Sequence, residues 1–277
     1  MITGTTALLA HIGWPTHAFK APMIYNPYFE RACIDAVVVP MGCREDNYPA
    51  FLRAVFTLEN IRGALITMPH KASTVGLLDV RSAAVEIAGA CNAVRRDREG
   101  RLVGDLFDGE GFVRGLRRKG CVVSGASVLV VGAGGVGSAI AASLAAAGAR
   151  SIALFDVNAE RADALEARLR LHYTSLELRT GSRDPAGLDI VVNATPLGMS
   201  DGDAMPLDVT RIASATFVGE VVMRSEMTPF LKAAAERGCR FQVGTDMLFE
   251  QIPAYLEFFG FASTTPDALR SLARLGS

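Results

Sequence analysis

The chain of 277 residues is poor in cysteine and histidine, and this scarcity excludes several kinds of site. Its five cysteines are odd in number and include no C-x-x-C pair, so neither a disulfide framework nor a zinc knuckle is expected. The four histidines include no H-E-x-x-H pair, the spacing of a helical zinc site. We therefore predict reduced thiols and no metal.

The sequence also lacks an excess of charge of either sign. Twenty-eight basic residues stand against twenty-nine acidic ones, and neither sign forms a long run. A basic surface for nucleic acid or for an anionic membrane is therefore not expected. No apolar stretch reaches the ~18 residues that span a bilayer, and the first residues show no basic region of a signal peptide. These absences predict a cytoplasmic protein without nucleic-acid or membrane partners.

Apolar residues make up 50% of the chain, in short runs that alternate with segments of helical period. This alternation predicts an α/β protein in which helices cover parallel sheets. Strands are expected at 7–12, 35–39, 64–67, 90–95, 102–106, 127–131, 152–155, 189–193, 216–221 and 240–243. Helices are expected at 23–33, 48–58, 109–119 and 138–147, and the apolar stretch 247–272 is expected to be mostly helical.

A turn-rich tetrapeptide suggests where a first domain ends. Asp97-Arg-Glu-Gly100 separates two strand-like runs and predicts a hairpin rather than a helical crossover. We predict a first domain of residues 1–107 plus 245–277, to which the C-terminal helices return. The second domain is predicted to span residues 108–244.

A glycine-rich loop follows the apolar run Val128–Val131. Gly132-Ala-Gly134-Gly135-Val-Gly137 matches G-x-G-x-x-G and leads directly into alanine-rich helical sequence. In this strand-to-helix context the motif is typical of a Rossmann dinucleotide site. The first glycine permits a tight turn, the second lets the backbone approach a pyrophosphate, and the third lets helix and strand pack closely. The four glycines are therefore candidate cofactor-binding residues.

The next predicted strand ends in Asp156, 19 residues beyond Gly137. A carboxylate at this place accepts hydrogen bonds from the adenosine ribose and repels a 2′-phosphate, which favours NAD over NADP. Arg161 could neutralise such a phosphate, so NADP stays an alternative. As the N-cap of the following helix, Asn158 is better placed than Asp156.

Further short motifs lie in one order along nearly the whole chain. They are Gly13-Trp-Pro15, Thr67-Met-Pro-His-Lys71, Gly89-Ala-Cys-Asn92, Gly104-Asp-Leu-Phe-Asp108-Gly109, Asn193-Ala-Thr-Pro-Leu-Gly198-Met199, Thr228-Pro-Phe-Leu231 and Met247-Leu-Phe-Glu-Gln251. In order and spacing they resemble the shikimate/quinate dehydrogenase family. The resemblance implies an oxidoreductase with an N-terminal substrate-binding catalytic domain, a Rossmann domain for NAD(P) and a returning C-terminal helical segment.

By this resemblance, Lys71 and Asp108 correspond to the catalytic pair of the family. Removing a hydride from a carbinol carbon requires the hydroxyl proton to leave, and an ammonium beside a carboxylate can hold and relay that proton. From the residues alone, Lys71 also fits an exposed lysine at a helix start. Asp108 likewise fits the N-cap of a helix that begins at Gly109.

The resemblance implies substrate contacts at Thr67, Asn92 and Gln251 but breaks down at other substrate positions. Phe19 and Ala21 replace two serines whose hydroxyls bind the substrate carboxylate in the family. A site that loses such hydrogen bonds loses up to ~10⁴-fold in discrimination. We therefore expect Phe19 and Ala21 to line a substrate site whose polar pattern does not suit shikimate itself.

Other departures from the family pattern replace polar groups with apolar ones. Leu65, Leu106-Phe107 and Met223 stand where the family has an asparagine, an asparagine–threonine pair and a tyrosine, and Asp246 replaces a glycine. Met223 is therefore counted among the candidate substrate-binding residues. Replacement donors or cations are available at His17, Lys20 and His70, although the first two also fit ordinary loop surface.

Cofactor contacts at Asn193, Thr195 and Gly244 are likewise implied by the resemblance. The family signature for NADP, Asn-Arg-Thr, is Asp156-Val-Asn158 here, which again favours NAD. By its pattern alone, the segment 193–199 also fits a plain exit from a strand into a loop.

Together these features predict an NAD-dependent dehydrogenase, monomeric or homodimeric, with NADP possible. Its expected substrate is a small cyclic polyol (shikimate, quinate or a related compound) that reacts at a ring hydroxyl. Two alternatives stay open: a dinucleotide-binding sensor without turnover, and a dehydrogenase that acts on an amino-polyol. The presence of both Lys71 and Asp108 argues against the sensor.

Overall fold

The computed structural model describes residues 2–200 and 202–275, which form twelve strands and eleven α-helices. The strands are β1 (Ala7–Gly13), β2 (Ala36–Gly42), β3 (Ile61–Ile66), β4 (Val80–Arg81), β5 (Ala93–Arg96), β6 (Leu102–Asp105), β7 (Ser127–Val131), β8 (Ser151–Phe155), β9 (Glu177–Thr180), β10 (Ile190–Asn193), β11 (Phe217–Glu220) and β12 (Phe241–Gln242). The helices are α1 (Ala21–Arg31), α2 (Tyr48–Val55), α3 (Lys71–Thr74), α4 (Ala83–Ala88), α5 (Asp108–Arg118), α6 (Gly135–Ala146), α7 (Ala159–His172), α8 (Pro229–Glu236), α9 (Gly244–Glu250), α10 (Ile252–Phe258) and α11 (Pro266–Leu272).

These elements divide between two compact units. Unit 1 draws its described residues from Met1–Val85, Gly89–Phe107 and Ile252–Ser277. Unit 2 draws them from Glu86–Ala88 and Asp108–Gln251. Each unit contains one six-stranded sheet.

The sheet of unit 1 has the strand order β2-β1-β3-β5-β6-β4. β1 lies parallel to β2 and β3, whereas β5 lies antiparallel to β3 and β6. β5 and β6 form the predicted hairpin, with Arg96 paired to Leu102. Gly100 in its turn has a φ of +83°, a conformation that glycine adopts without steric cost.

The sheet of unit 2 has the order β12-β11-β10-β7-β8-β9, and all its pairs are parallel. Buried residues alternate between its two faces. On one face Val128 and Val130 pack with α5, α6 and α7, and on the other Leu129 and Val131 pack with α8. Helices on both faces and a central strand made of β-branched and aliphatic residues are typical of a doubly wound parallel sheet.

The α/β class and the return of the C-terminal helices to the first unit confirm the predicted fold. All ten predicted strands are present, with bounds that shift by at most three residues. The structure adds two short strands without an apolar pattern, β4 and β9, and the helices α3, α4 and α8. The expectation of a mostly helical stretch over 247–272 is confirmed: it holds most of α9 together with α10 and α11, and a break that includes Gly260 at φ +75° separates α10 from α11.

The observed division differs from the expected one at α9, which belongs to unit 2 rather than to the C-terminal part of the first domain. The cause is close packing between α9 and α5. A Cβ atom on Gly111 of α5 would lie 2.8 Å from the backbone nitrogen of Gln251, so only glycine permits this approach. None of the described helices is both long and apolar enough to cross a membrane.

Candidate active site

The predicted glycine loop connects β7 to α6 in unit 2, and two of its glycines are required by the packing. Gly132 has a φ of +105°, and a Cβ atom there would lie 2.7 Å from the carbonyl oxygen of Ala194. A Cβ atom on Gly137 would lie 1.8 Å from the carbonyl oxygen of Gly132. These two positions therefore fix the turn and the contact between helix and strand, as the motif predicts.

The other two loop glycines face open space. Gly134 and Gly135 are exposed, and a Cβ atom on either would have no neighbour within 4 Å. The N-terminus of the twelve-residue α6 lies at the same place, and Gly134 is its N-cap without a side-chain hydrogen bond. Backbone N–H groups and the positive end of a helix dipole suit a pyrophosphate. The loop thus fits the phosphates of a dinucleotide.

Asp156 follows β8 and is held in a fixed orientation. Its two carboxylate oxygens accept hydrogen bonds from the backbone N–H of Ala133, at 2.8 Å, and of Asn158, at 2.9 Å. Each oxygen has a second lone pair, which leaves the carboxylate able to accept ribose hydroxyls. Asn158, not Asp156, caps α7 by accepting a hydrogen bond from Glu160 N, which confirms that part of the prediction.

The resemblance implies cofactor contacts at Asn193 and Thr195. In the structure, the side chains of both residues already form hydrogen bonds with other groups of the protein. The Asn193 amide donates to the carbonyl oxygen of Leu197, at 3.0 Å, and to a carboxylate oxygen of Glu220, at 2.9 Å. Its oxygen accepts the N–H and the hydroxyl of Thr195. Both side chains therefore shape the loop after β10, and the plain strand-exit interpretation accounts for their contacts.

The sequence interpretation missed Glu220, the fully buried last residue of β11. Its carboxylate accepts hydrogen bonds from Asn193, from Thr228 and from the backbone N–H of Val221 and Val222. Burial raises the pKa of Glu220 above its ordinary value, although these donors favour the charged form. A single acidic residue at the end of an apolar strand was the only signal in the sequence.

The remaining predicted residues of unit 2 lie apart from the glycine loop in the sequence. Asp108 is 8% exposed and is itself the first residue of α5, so the helix does not begin at Gly109 as expected. Gly244 begins α9 against the carbonyl oxygen of Val222, which a Cβ atom would approach to 2.2 Å. Met223 is 51% exposed, whereas the side-chain oxygen of Gln251 is buried and has no hydrogen-bond partner among the described residues.

In unit 1, the motif residues meet at the carboxyl ends of β1 and β3. Thr67 N donates to the carbonyl oxygen of Ile12, at 2.9 Å, and Trp14 N to that of Met68, at 3.0 Å. Ligands of open α/β sheets bind at this end of the strands. The loop after β1 and the Thr67–Lys71 motif thus lie side by side where a substrate site is expected.

Lys71 and Asn92 belong to the same part of unit 1. Lys71 is half-buried at the start of α3, and its carbonyl oxygen accepts the N–H of Cys91, at 2.8 Å. Asn92 is 1% exposed, and its oxygen accepts the N–H of Phe107. The Asn92 amide nitrogen has no partner among the described residues, so this group can donate to a ligand.

Among the replaced residues of unit 1, Phe19 and Ala21 are partly exposed, and Phe19 lies beside the motif. Phe19 stacks on His11 with ring centroids 4.0 Å apart, and its Cζ lies 3.0 Å from where a Cβ of Gly13 would stand. Ala21 is half-buried at the start of α1.

The other replacements in unit 1 form its core. Leu65 and Leu106 are buried, and Phe107 packs edge-on against Tyr255 and Phe258 of α10. These three residues therefore have packing roles that the comparison with the family pattern did not reveal.

His70, considered as a replacement donor, is buried, and its Nδ1 has no hydrogen-bond partner among the described residues. Its ring is fully buried, stacks on Tyr48 at a centroid distance of 3.9 Å, and uses Nε2 in a hydrogen bond with the carbonyl oxygen of Cys43. It therefore anchors the motif. His17 and Lys20 lie on the exposed surface.

Two protein-family models match the chain. Residues 12–94 match the shikimate dehydrogenase substrate binding domain, and residues 116–197 match shikimate / quinate 5-dehydrogenase. A relative named shikimate dehydrogenase (NADP(+)), from Geobacter sulfurreducens, is 33% identical over 266 residues, which cover 93% of this chain and 92% of the relative.

Solved structures resemble the chain over nearly its whole length. Shikimate 5-dehydrogenase from Listeria monocytogenes, in complex with shikimate and NAD, superposes with a TM-score of 0.91 at 25% identity and covers 98% of this chain and 97% of its own. The ligand-free 5-ketofructose reductase of a Gluconobacter species superposes with a TM-score of 0.88 at 25% identity. The match covers 98% of this chain and 99% of the reductase.

Proposed function

Because the chain belongs to the shikimate/quinate dehydrogenase family of NAD(P)-dependent oxidoreductases that act on CH–OH groups, we propose that it reversibly oxidises a ring hydroxyl of a small cyclic polyol. NAD is its preferred dinucleotide in this proposal. The observation that carries the proposal is the open glycine loop of unit 2, in which Gly134 and Gly135 face free space beside the oriented carboxylate of Asp156.

The preference for NAD follows from charge. When bound, the dinucleotide supplies the acceptor for the hydride. The loop N–H groups hold its pyrophosphate, and Asp156 accepts hydrogen bonds from both ribose hydroxyls. A 2′-phosphate would place negative charge against this carboxylate. The relative from Geobacter sulfurreducens is named for NADP(+), whereas the Listeria monocytogenes structure contains NAD.

Lys71 and Asp108 are the proposed catalytic pair. As hydride leaves the carbinol carbon, the hydroxyl proton must leave the oxygen. Lys71 Nζ accepts or relays this proton, and the Asp108 carboxylate is the proposed second member of the pair. In the reverse direction the same ammonium protonates the oxygen formed from the ketone.

Substrate orientation is assigned to groups that the fold leaves able to bind. The Asn92 amide nitrogen and the Gln251 side-chain oxygen are buried without partners among the described residues, and Thr67 adds a hydroxyl. One donor, one acceptor and one hydroxyl suit the alternating hydroxyl groups of a polyol. One structural neighbour is a 5-ketofructose reductase, which supports a substrate range beyond shikimate.

The proposal is tested by mixing the purified protein with NAD or NADP and a panel of cyclic polyols, and by following absorbance of the reduced nicotinamide. The panel comprises shikimate, quinate, their methyl esters, amino-shikimate and unsubstituted cyclitols. We expect turnover of at least one ring alcohol, with a kcat/KM at least tenfold higher for NAD than for NADP. Lys71→Ala should lower kcat about 10²–10⁴-fold, the usual contribution of a positioned acid–base group.

Lys232→Ala is the matched control, since Lys232 is an exposed lysine on α8. It should leave the kinetics unchanged. Tight dinucleotide binding without turnover of any member of the panel would contradict the proposal and favour a sensor. Turnover of amino-shikimate alone would assign the reaction to an amino-polyol instead.

A further inference from the structure

We propose that His11 and Phe19 form a specificity surface that selects a substrate without a carboxylate, and that His11 Nδ1 hydrogen-bonds to a hydroxyl or carbonyl group of this neutral polyol. The inference rests on the proposed function and names the substrate class for the same site. His11 carries no motif signal in the sequence, and its role follows from its contacts.

The first observation is the position of the Phe19 ring. It stacks on His11 at a centroid distance of 4.0 Å with the planes tilted by 31°. Its Cζ reaches the backbone of Gly13, and the γ-methyl group of Thr67 lies at the same glycine. An aromatic ring therefore adjoins the motif that leads to Lys71, at the residue where the family has a carboxylate-binding serine.

The second observation is an unsatisfied polar atom in His11. The residue is 8% exposed, and Nδ1 is buried without a hydrogen-bond partner among the described residues. In the sheet His11 lies between Pro40 of β2 and Leu65 of β3, neither of which has a polar side chain to offer. A buried ring nitrogen without a partner lowers stability, and in this proposal a hydroxyl or carbonyl group of the substrate completes its hydrogen bonding.

The lack of positive charge on this surface disfavours an anion as the group it binds. Burial lowers the pKa of His11 to about 4, so the imidazole is neutral at pH 7. The face of the Phe19 ring carries a negative quadrupole, which attracts the polarised C–H groups of a polyol and repels a carboxylate. Neutral His11 can donate or accept one hydrogen bond, as a hydroxyl group requires. Both residues thus favour a neutral ring over a cyclic acid.

The decisive comparison uses shikimate and methyl shikimate, which differ in the charge of one group and in one added methyl. We expect the wild-type protein to oxidise methyl shikimate with a kcat/KM at least tenfold higher than that for shikimate. The double variant Phe19→Ser/Ala21→Ser restores two hydroxyls and should reverse this order. His11→Val should raise KM for methyl shikimate about tenfold with kcat within twofold, and His11→Asn, which keeps a polar atom near Nδ1, should restore most of the loss.

Binding is measured in parallel by ligand-observed NMR of methyl shikimate and of myo-inositol, so that the result does not depend on turnover. His172→Asn, which replaces an exposed histidine of α7, is the control and should bind both probes as the wild type does. Thermal unfolding identifies variants that fail to fold, and the dinucleotide dissociation constant reports on unit 2.

The outcomes separate the two proposals. If neutral probes bind in a His11-dependent manner but nothing is oxidised, the specificity surface stands and the proposed reaction fails. If shikimate is oxidised faster than its methyl ester, or if neither neutral probe binds, the specificity surface is wrong while the dehydrogenase remains. Unchanged binding of both neutral probes by His11→Val would also overturn it.

Discussion

Asn193 and Asn92 illustrate two ways in which a buried amide takes part in a site. Every polar atom of the Asn193 side chain is bonded to protein groups, so this residue positions a loop. The nitrogen of Asn92, by contrast, has no partner among the described residues and can donate to a ligand. The motif pattern does not distinguish these roles, because both residues are asparagines that end or precede a strand.

The loop glycines allow positions that shape the fold to be distinguished experimentally from positions that are open to a ligand. Gly134→Ala should leave thermal stability unchanged, because its φ of −74° suits alanine and its Cβ would enter open space. The added methyl should nevertheless weaken NADH binding about tenfold, since the backbone must approach the pyrophosphate. Gly137→Ala should lower both stability and binding, because its Cβ would lie 1.8 Å from a carbonyl oxygen.

Fluorescence titration with NADH and thermal unfolding of both variants provide the measurements. Gly125→Ala, at a left-handed glycine outside the loop, controls for a purely conformational penalty. Equal loss of stability in Gly134→Ala and Gly137→Ala would show that the open space at Gly134 is not real.

At the scale of elements, Glu220 joins β10, β11 and the N-terminus of α8. It bonds Asn193 at the end of β10 and Thr228, whose hydroxyl also caps α8 by accepting Leu231 N. Three segments therefore share one buried carboxylate. The sequence spacing of these residues gives no hint of the cluster, because only the parallel pairing of β10 with β11 brings them together.

Removing this carboxylate should separate the elements that it joins. Glu220→Ala is expected to lower the free energy of unfolding by about 3 kcal/mol, because buried donors lose their acceptor. Glu220→Gln should cost much less, since one amide oxygen remains and the Thr228 hydroxyl can turn to accept.

A further signature of this carboxylate is the pH dependence of stability. The pKa of Glu220 is raised in the folded protein, so the unfolded chain loses this proton first as pH rises above about 4.5.

As pH rises from about 4.5 through the pKa of Glu220 in the folded protein, the wild type should therefore lose stability relative to Glu220→Gln. Above that pKa the difference in unfolding free energy between the two proteins should stay constant. Urea unfolding between pH 4 and pH 8 measures it. Glu236→Gln, at an exposed residue of α8, should show no such difference from the wild type. A wild type that gains stability relative to Glu220→Gln over this range would mean that the carboxylate is charged and well satisfied when folded.

At the scale of the whole molecule, the proposed cofactor residues lie in unit 2 and most of the proposed substrate residues lie in unit 1, with Met223 and Gln251 as the exceptions in unit 2. The glycine loop and Asp156 belong to unit 2, whereas Phe19, Thr67, Lys71 and Asn92 belong to unit 1. Chain order does not follow this division strictly, since residues 252–275 return to unit 1 after unit 2 is complete. Asp108, the predicted partner of Lys71, is the first residue after the boundary at Phe107.

Hydrogen–deuterium exchange should report this division directly. NADH at 100 times its dissociation constant stabilises the binding-competent state by about 2.7 kcal/mol, and we expect it to slow exchange mainly at residues 128–137 and 153–156. A neutral polyol should slow exchange mainly at residues 9–14 and 64–71. If NADH slowed exchange only at residues 9–14 and 64–71, the assignment of the dinucleotide site to unit 2 would be contradicted. Gly134→Ala serves as the control, because it should weaken only the NADH response.

The sequence predicted the elements whose pattern is local. The run Ser127–Val131 was recognisable as a buried strand, and the glycine loop after it as a nucleotide loop, since all the necessary residues are contiguous. The short strands β4 and β9 escaped prediction, because a two-residue strand and a polar edge strand have no apolar period to detect. The site residues themselves, Lys71 and Asp108 included, came from resemblance to a family and stay predictions about this chain.

The sequence by itself determined the α/β class, the dinucleotide loop and the absence of the two serines at Phe19 and Ala21, because each depends on neighbouring residues or on a single position. Only the tertiary structure decided which polar groups are satisfied and which remain available. The stacking of Phe19 on His11 joins residues 8 positions apart, and Glu220 is bonded to residues 27 positions before it and 8 positions after it. Such contacts arise from sheet register and helix packing, which no local pattern encodes.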